Sequence, residues 1–76
     1  MQRFFFHVID GTFGIDSEGT ELLDLDAARS EAIRTAGEIL RHAPQPVYDG
    51  TEWQMHVTDE STRTLLKLTF KMERCA

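Results

Sequence analysis

The sequence predicts an α+β fold: a β-β-α-β-β chain whose four-stranded sheet carries one helix on one face. Three observations predict it. Residues 2–9 alternate in polarity with a period of two, and so do 52–58 and 64–70. Between them, 25–43 repeat their apolar positions every three or four residues. Period two is the signature of a strand and a three-to-four spacing that of an amphipathic helix. A helix and a sheet each bury one apolar side, and they do so against each other. Seventy-six residues make one domain, 1–76, of the size at which only about 60% of the chain's surface can be buried.

The first strand, about 2–9, opens with three consecutive phenylalanines. Alternation sends Phe4, Phe6 and Val8 to one face and Phe5, His7 and Ile9 to the other. Asp10-Gly11 is a turn signal, and a second strand follows at about 12–16 around Phe13 and Ile15. Asp16 to Glu21 reads as a polar loop in which Gly19 is free to take positive φ.

Asp24 is suited to cap the helix, about 25–43, with Asp26 adding negative charge at the positive end of its dipole. Leu25, Ala28, Ala32, Ala36, Ile39, Leu40 and Ala43 draw the buried stripe, which Ile33 widens, and the alanines permit close approach. Pro44 and Pro46 stop the helix.

Trp53, Met55 and Val57 define the inner face of a third strand, 52–58. Asp59 to Thr62 makes a turn, and Leu66, Leu68 and Phe70 are the inner residues of a fourth strand, 64–70. The apolar density of the first and fourth strands favours those two for the centre of the sheet.

The other sheet face carries Phe5, His7, Ile9, Gln54, His56, Thr58, Leu65, Lys67 and Thr69, and the chain has no second helix to cover it. An apolar patch left open on a small domain often marks a contact surface. Phe5, His7, Ile9, His56, Leu65 and Lys67 are therefore the candidate partner-binding residues, most simply for a homodimer formed by stacking sheet on sheet.

No motif in the chain specifies a reaction, and an enzyme is not expected. His7 and His56 share a face, but their spacing matches no metal-ligand pattern. Counting Asp16 as the first calcium ligand puts Gly19 at the fourth place, not the sixth, and Ala27 at the twelfth, where it cannot supply the bidentate carboxylate. Cys75 lies near the end of the chain, and the serines have no histidine neighbour in sequence. No catalytic residue, metal or cofactor is expected.

The net charge is −5, and every charged residue between Arg3 and Arg29 is acidic: Asp10, Asp16, Glu18, Glu21, Asp24 and Asp26. The bases are scattered, so nucleic-acid binding is disfavoured. The N-terminal run is too short and wrongly flanked for a signal peptide, and no stretch approaches the length of a membrane span. With one cysteine, the expectation is a soluble cytoplasmic protein without membrane contact.

"RFFFHVIDG" at 3–11, "DSEGTELLDLDAARSEAIRTAGEIL" at 16–40 and "VTDESTRTLLKLTF" at 57–70 resemble a family of short, uncharacterised alphaproteobacterial proteins, a domain of unknown function. The pattern is an aromatic strand with His-Val-x-Asp-Gly, an Ala-Ala-Arg-x-Glu-Ala helix and a Val-Thr-Asp-Glu hairpin, and it covers most of the chain outside 41–52. Leu23 stands where many relatives have proline. The resemblance implies a stand-alone domain with no established catalytic residues. A looser similarity to acidic antitoxins, which also pair an aromatic hairpin with an amphipathic helix, implies a basic protein partner steered by the acidic run.

Overall fold

The computed structural model describes residues 1–9, 13–42, 52–73 and 75–76, without the side chain of Phe13. The elements are β1 (Gln2–Ile9), β2 (Phe13–Gly14), β3 (Thr20–Leu22), α1 (Leu25–His42), β4 (Glu52–Thr58) and β5 (Thr64–Lys71). All pairings are antiparallel, in the order β2-β1-β4-β5, with β3 also on β1. The α+β architecture is as the sequence predicts, one sheet with one helix among the described residues.

Two details of the sheet differ from the sequence reading. The centre is β1 and β4, whereas β5 is an outer strand. The apolar density of β5 serves the groove beside α1 rather than a central position. The second strand is also divided. β2 pairs Val8↔Gly14 and Ile9↔Phe13, and β3 pairs Gln2↔Leu22, Arg3↔Glu21 and Phe4↔Thr20. Thr20–Leu22 is thus strand rather than loop, and Ile15–Gly19 bulges out between two short pieces of one broken edge strand. The Asp10-Gly11 turn, the prolines after α1 and Ala43 lie outside the described residues.

α1 starts where capping chemistry places it. The Asp24 carboxylate accepts from the Ala27 N–H at 2.9 Å, and its carbonyl accepts from the Ala28 N–H at 3.1 Å. Ala28, Ala32 and Ala36 are buried and bring the helix close to the sheet. Against them lie Phe4, Trp53, Met55 and Val57, the rest of the core, with Phe6, Val8, Leu66 and Leu68 packed around. Phe6↔Val57 and Val8↔Met55 are register partners, so these side chains share the helix-side face. Phe70, expected in this core, is 42% exposed because its strand is outermost. Ile33 and Leu25 lie at the margins of the stripe and are exposed.

The β4–β5 hairpin turns on Asp59. Its carboxylate accepts from the Ser61 and Arg63 N–H groups, and its carbonyl from the Thr62 N–H. Thr62 takes φ 65°, an uncommon conformation for a β-branched residue.

Candidate functional site

The second sheet face is built from three rows of register partners. Phe5 stands opposite Thr58, His7 opposite His56 and Ile9 opposite Gln54. On the far side of β4, Lys67 faces His56 and Thr69 faces Gln54. Five of the six candidate contact residues, Phe5, His7, Ile9, His56 and Lys67, therefore lie on one surface. Leu65 does not stay with them. Val57 pairs with Leu66 but Thr58 pairs with Thr64, so a bulge takes Leu65 out of the alternation. It packs instead against the helix-side core.

No helix covers this face among the described residues, but the Ile15–Gly19 loop covers one corner of it. Gly19, at φ +74°, sits so tightly that an added Cβ would lie 2.8 Å from both Arg3 Cγ and Phe5 Cε2. Phe5 is half-buried as a result, and its ring stacks on His7 with centroids 6.4 Å apart.

Asp16 holds the loop in place. Its Oδ1 accepts from the N–H groups of Glu18 (3.1 Å) and Gly19 (3.0 Å). Its Oδ2 accepts from the Phe6 N–H at 3.1 Å. That N–H lies on β1 between the two short edge strands, so the carboxylate fills the gap in the ladder. Burial pushes the Asp16 carboxyl up. The three N–H donors, Gly19 foremost, together with His7 outweigh that and leave it below its ordinary value. Arg3 adds a second tie, donating to the Glu18 carbonyl at 2.8 Å and to the Glu21 carboxylate at 3.0 Å.

His7 joins the loop to the sheet. The backbone N–H of Asp16 donates to His7 Nδ1 at 3.1 Å, and His7 Nε2 lies 3.0 Å from Thr58 Oγ1. Since Nδ1 accepts, the proton of the neutral ring is on Nε2, which donates to the threonine hydroxyl. This decides the chemistry of an arrangement that superficially joins a hydroxyl, a histidine and an aspartate. A base that activates a hydroxyl needs its lone pair towards that hydroxyl. Here the lone pair points the other way, towards the Asp16 N–H. The same occupancy of both ring nitrogens leaves His7 poorly placed to ligate a metal beside His56. Among the described residues no three histidine, cysteine or acidic groups come together.

His56 Nε2 bonds to Gln54 Oε1 at 3.0 Å, and Gln54 in turn donates to Glu52 at 3.3 Å. Burial lowers the His56 pKa, and the neighbouring Lys67 and His7 lower it further. Cys75 is exposed, beyond the end of β5.

Asp16 and Gly19 were not among the residues the sequence placed on this face, whereas Thr58 was placed there without being a candidate contact. A signal for the first two exists: an aspartate three residues before a glycine is the spacing of a side chain that folds a turn onto its own backbone.

No curated protein and no solved structure matches the chain significantly. A family model described as "Domain of unknown function (DUF6894)" matches residues 3–71, which take in the helix and every described strand apart from Gln2. The chain belongs to this family.

Proposed function

We propose that the domain is a small non-catalytic protein-interaction module that self-associates through its open sheet face. The observation that supports this reading is the uncovered surface itself. One helix roofs one side of the sheet, while Phe5 and Ile9, half-buried, stand on the other beside His7, His56 and Lys67. Two such faces stacked about a two-fold axis bury both copies of the apolar residues. The orientation of His7 towards Thr58 supports a binding role over a catalytic one.

Light scattering behind a sizing column tests it. The wild type should elute with the mass of a dimer, and Ile9→Lys should reduce it to a monomer with an unchanged far-ultraviolet spectrum. A wild type that stays monomeric at millimolar concentration overturns the reading. Ile9 is preferred to Phe5 for this test because Phe5 also supports the Gly19 loop.

A second reading is favoured by a different observation. Glu18, Glu21, Asp24 and Asp26 are all exposed along the β3 side and the entry to α1. An antitoxin-like or regulatory protein would use them to bind a basic protein, with an affinity that falls steeply as salt is raised.

A further inference from the structure

The two outer margins of the sheet are unlike. On one, β2 and β3 are short and are separated by the Asp16 loop, whose carboxylate already occupies the Phe6 N–H. On the other, β5 offers eight consecutive residues, and no further strand lies beyond it among the described residues. Beside β5, between it and α1, runs an apolar groove of about 240 Å³ lined by Ile33, Gly37, Leu40, Trp53, Leu68 and Phe70. Ile33 is 53% exposed there, and a Cβ placed on Gly37 would meet nothing within 4 Å.

We propose that the β5 margin and the adjoining α1 groove form a docking site for an extended peptide in which apolar and acidic residues alternate. The backbone of such a segment completes the ladder of β5, as strands added to open sheet edges do. Alternation then follows from the two faces of the added strand. Side chains on the helix side enter the groove. Those on the other side lie next to Lys67, Thr69 and Lys71, all exposed.

Charge selects the acidic partner. In a protein of net charge −5, five of the eight lysines and arginines lie on just these two elements: Arg29, Arg34 and Arg41 on α1, Lys67 and Lys71 on β5. Arg34 is paired with Glu31 and Lys71 with Glu73, but Arg29, Arg41 and Lys67 form no ion pair among the described residues. Helical spacing sets Arg29 one turn before Ile33 and Arg41 one turn after Gly37, on the groove side of α1. The same charges argue against a second copy joined β5 to β5, which would bring both sets of arginines together. The site shares Lys67 with the open face, but its groove and the outer edge of β5 do not depend on self-association there.

The test is a titration of isotope-labelled protein with two capped heptapeptides, one alternating leucine and glutamate, the other leucine and lysine. The glutamate peptide should bind saturably, at least about tenfold tighter than the lysine peptide. Shifts should fall on β5 and α1, and the alternate β5 amides turned away from β4 should gain protection from exchange. Gly37→Leu, which fills the groove at an exposed helix position, should abolish binding with the melting temperature retained. Lys67→Glu should reverse the preference between the peptides. Failure of the glutamate peptide to bind at millimolar concentration overturns the proposal, as do equal affinities or shifts confined to the open face or the β2–β3 margin. Protection of β5 that rises with protein concentration alone assigns the margin to a second copy and overturns it too.

Discussion

Phe4 and Phe5 are chain neighbours that meet opposite surroundings. Phe4 is 1% exposed among alanines and branched side chains beneath α1. Phe5 is half-buried between a glycine and an imidazole on the open side. The helix side is held by apolar burial. The other side is held by a hydrogen-bonded chain that runs from the Phe6 N–H through Asp16 and His7 to Thr58. Two faces of one sheet thus rely on different physics, and they should respond to different perturbations.

The largest test of that contrast is truncation. Phe4→Ala should cost about 3–5 kcal/mol in urea unfolding, a large share of the stability of so small a domain. Phe5→Ala should cost clearly less in the monomer, with any further loss growing with protein concentration. Equal costs at all concentrations would erase the distinction between the faces.

The polar side should break at Asp16. Asp16→Ala leaves three backbone N–H groups without their acceptor and should cost about 1–3 kcal/mol. The pH dependence sharpens this. The folded-state pKa of Asp16 is below its unfolded value, so its stabilisation is present above the unfolded pKa and is lost as pH falls through the folded one. Melting temperature should therefore drop on acidification below about pH 4, and Asp16→Asn should flatten that part of the profile. Gly19→Ala, which combines positive φ with the contact to Phe5, should cost about 1–3 kcal/mol and shift the His7 ring resonances.

Smaller effects complete the comparison. Gly37→Ala, at the open groove beside α1, should raise stability by about 1 kcal/mol, since the helix interior gains an alanine and no contact is lost. His56, lowered by burial and by Lys67, stabilises most above its unfolded pKa near 6.5 and loses that contribution as pH falls through its folded value. His56→Gln should remove a shallow decline in melting temperature between about pH 7 and 5.

Much of the helix side was legible because its information is periodic and local. The alternation around Phe4 and Met55, the alanine stripe and the Asp24 cap each follow from residues within one element. The open side was legible only as a list of residues. What organises it is contact between distant segments: Asp16 with Phe6 and His7, and His7 with Thr58, 51 positions away. Leu65 was misplaced for a related reason. A bulge opposite Val57 and Thr58 resets the alternation by one residue, and no local residue announces it. The order of strands escaped too, since the apolar side chains of β5 read alike whether they face another strand or a groove. Charge was misleading in the opposite sense. Bases that looked dispersed along the chain lie mostly on two elements, α1 and β5, that border one groove.

The broken strand opposite β5 has a consequence for how far such a sheet can be extended. A polymer needs two reactive ends, and among the described residues this sheet offers one uninterrupted edge. The Asp16 carboxylate acts as a chain terminator, holding the backbone donor that an incoming strand would seek. Even if two molecules were forced together through β5, their outermost strands would both be the interrupted kind, and growth would stop at that pair instead of running on into a fibre.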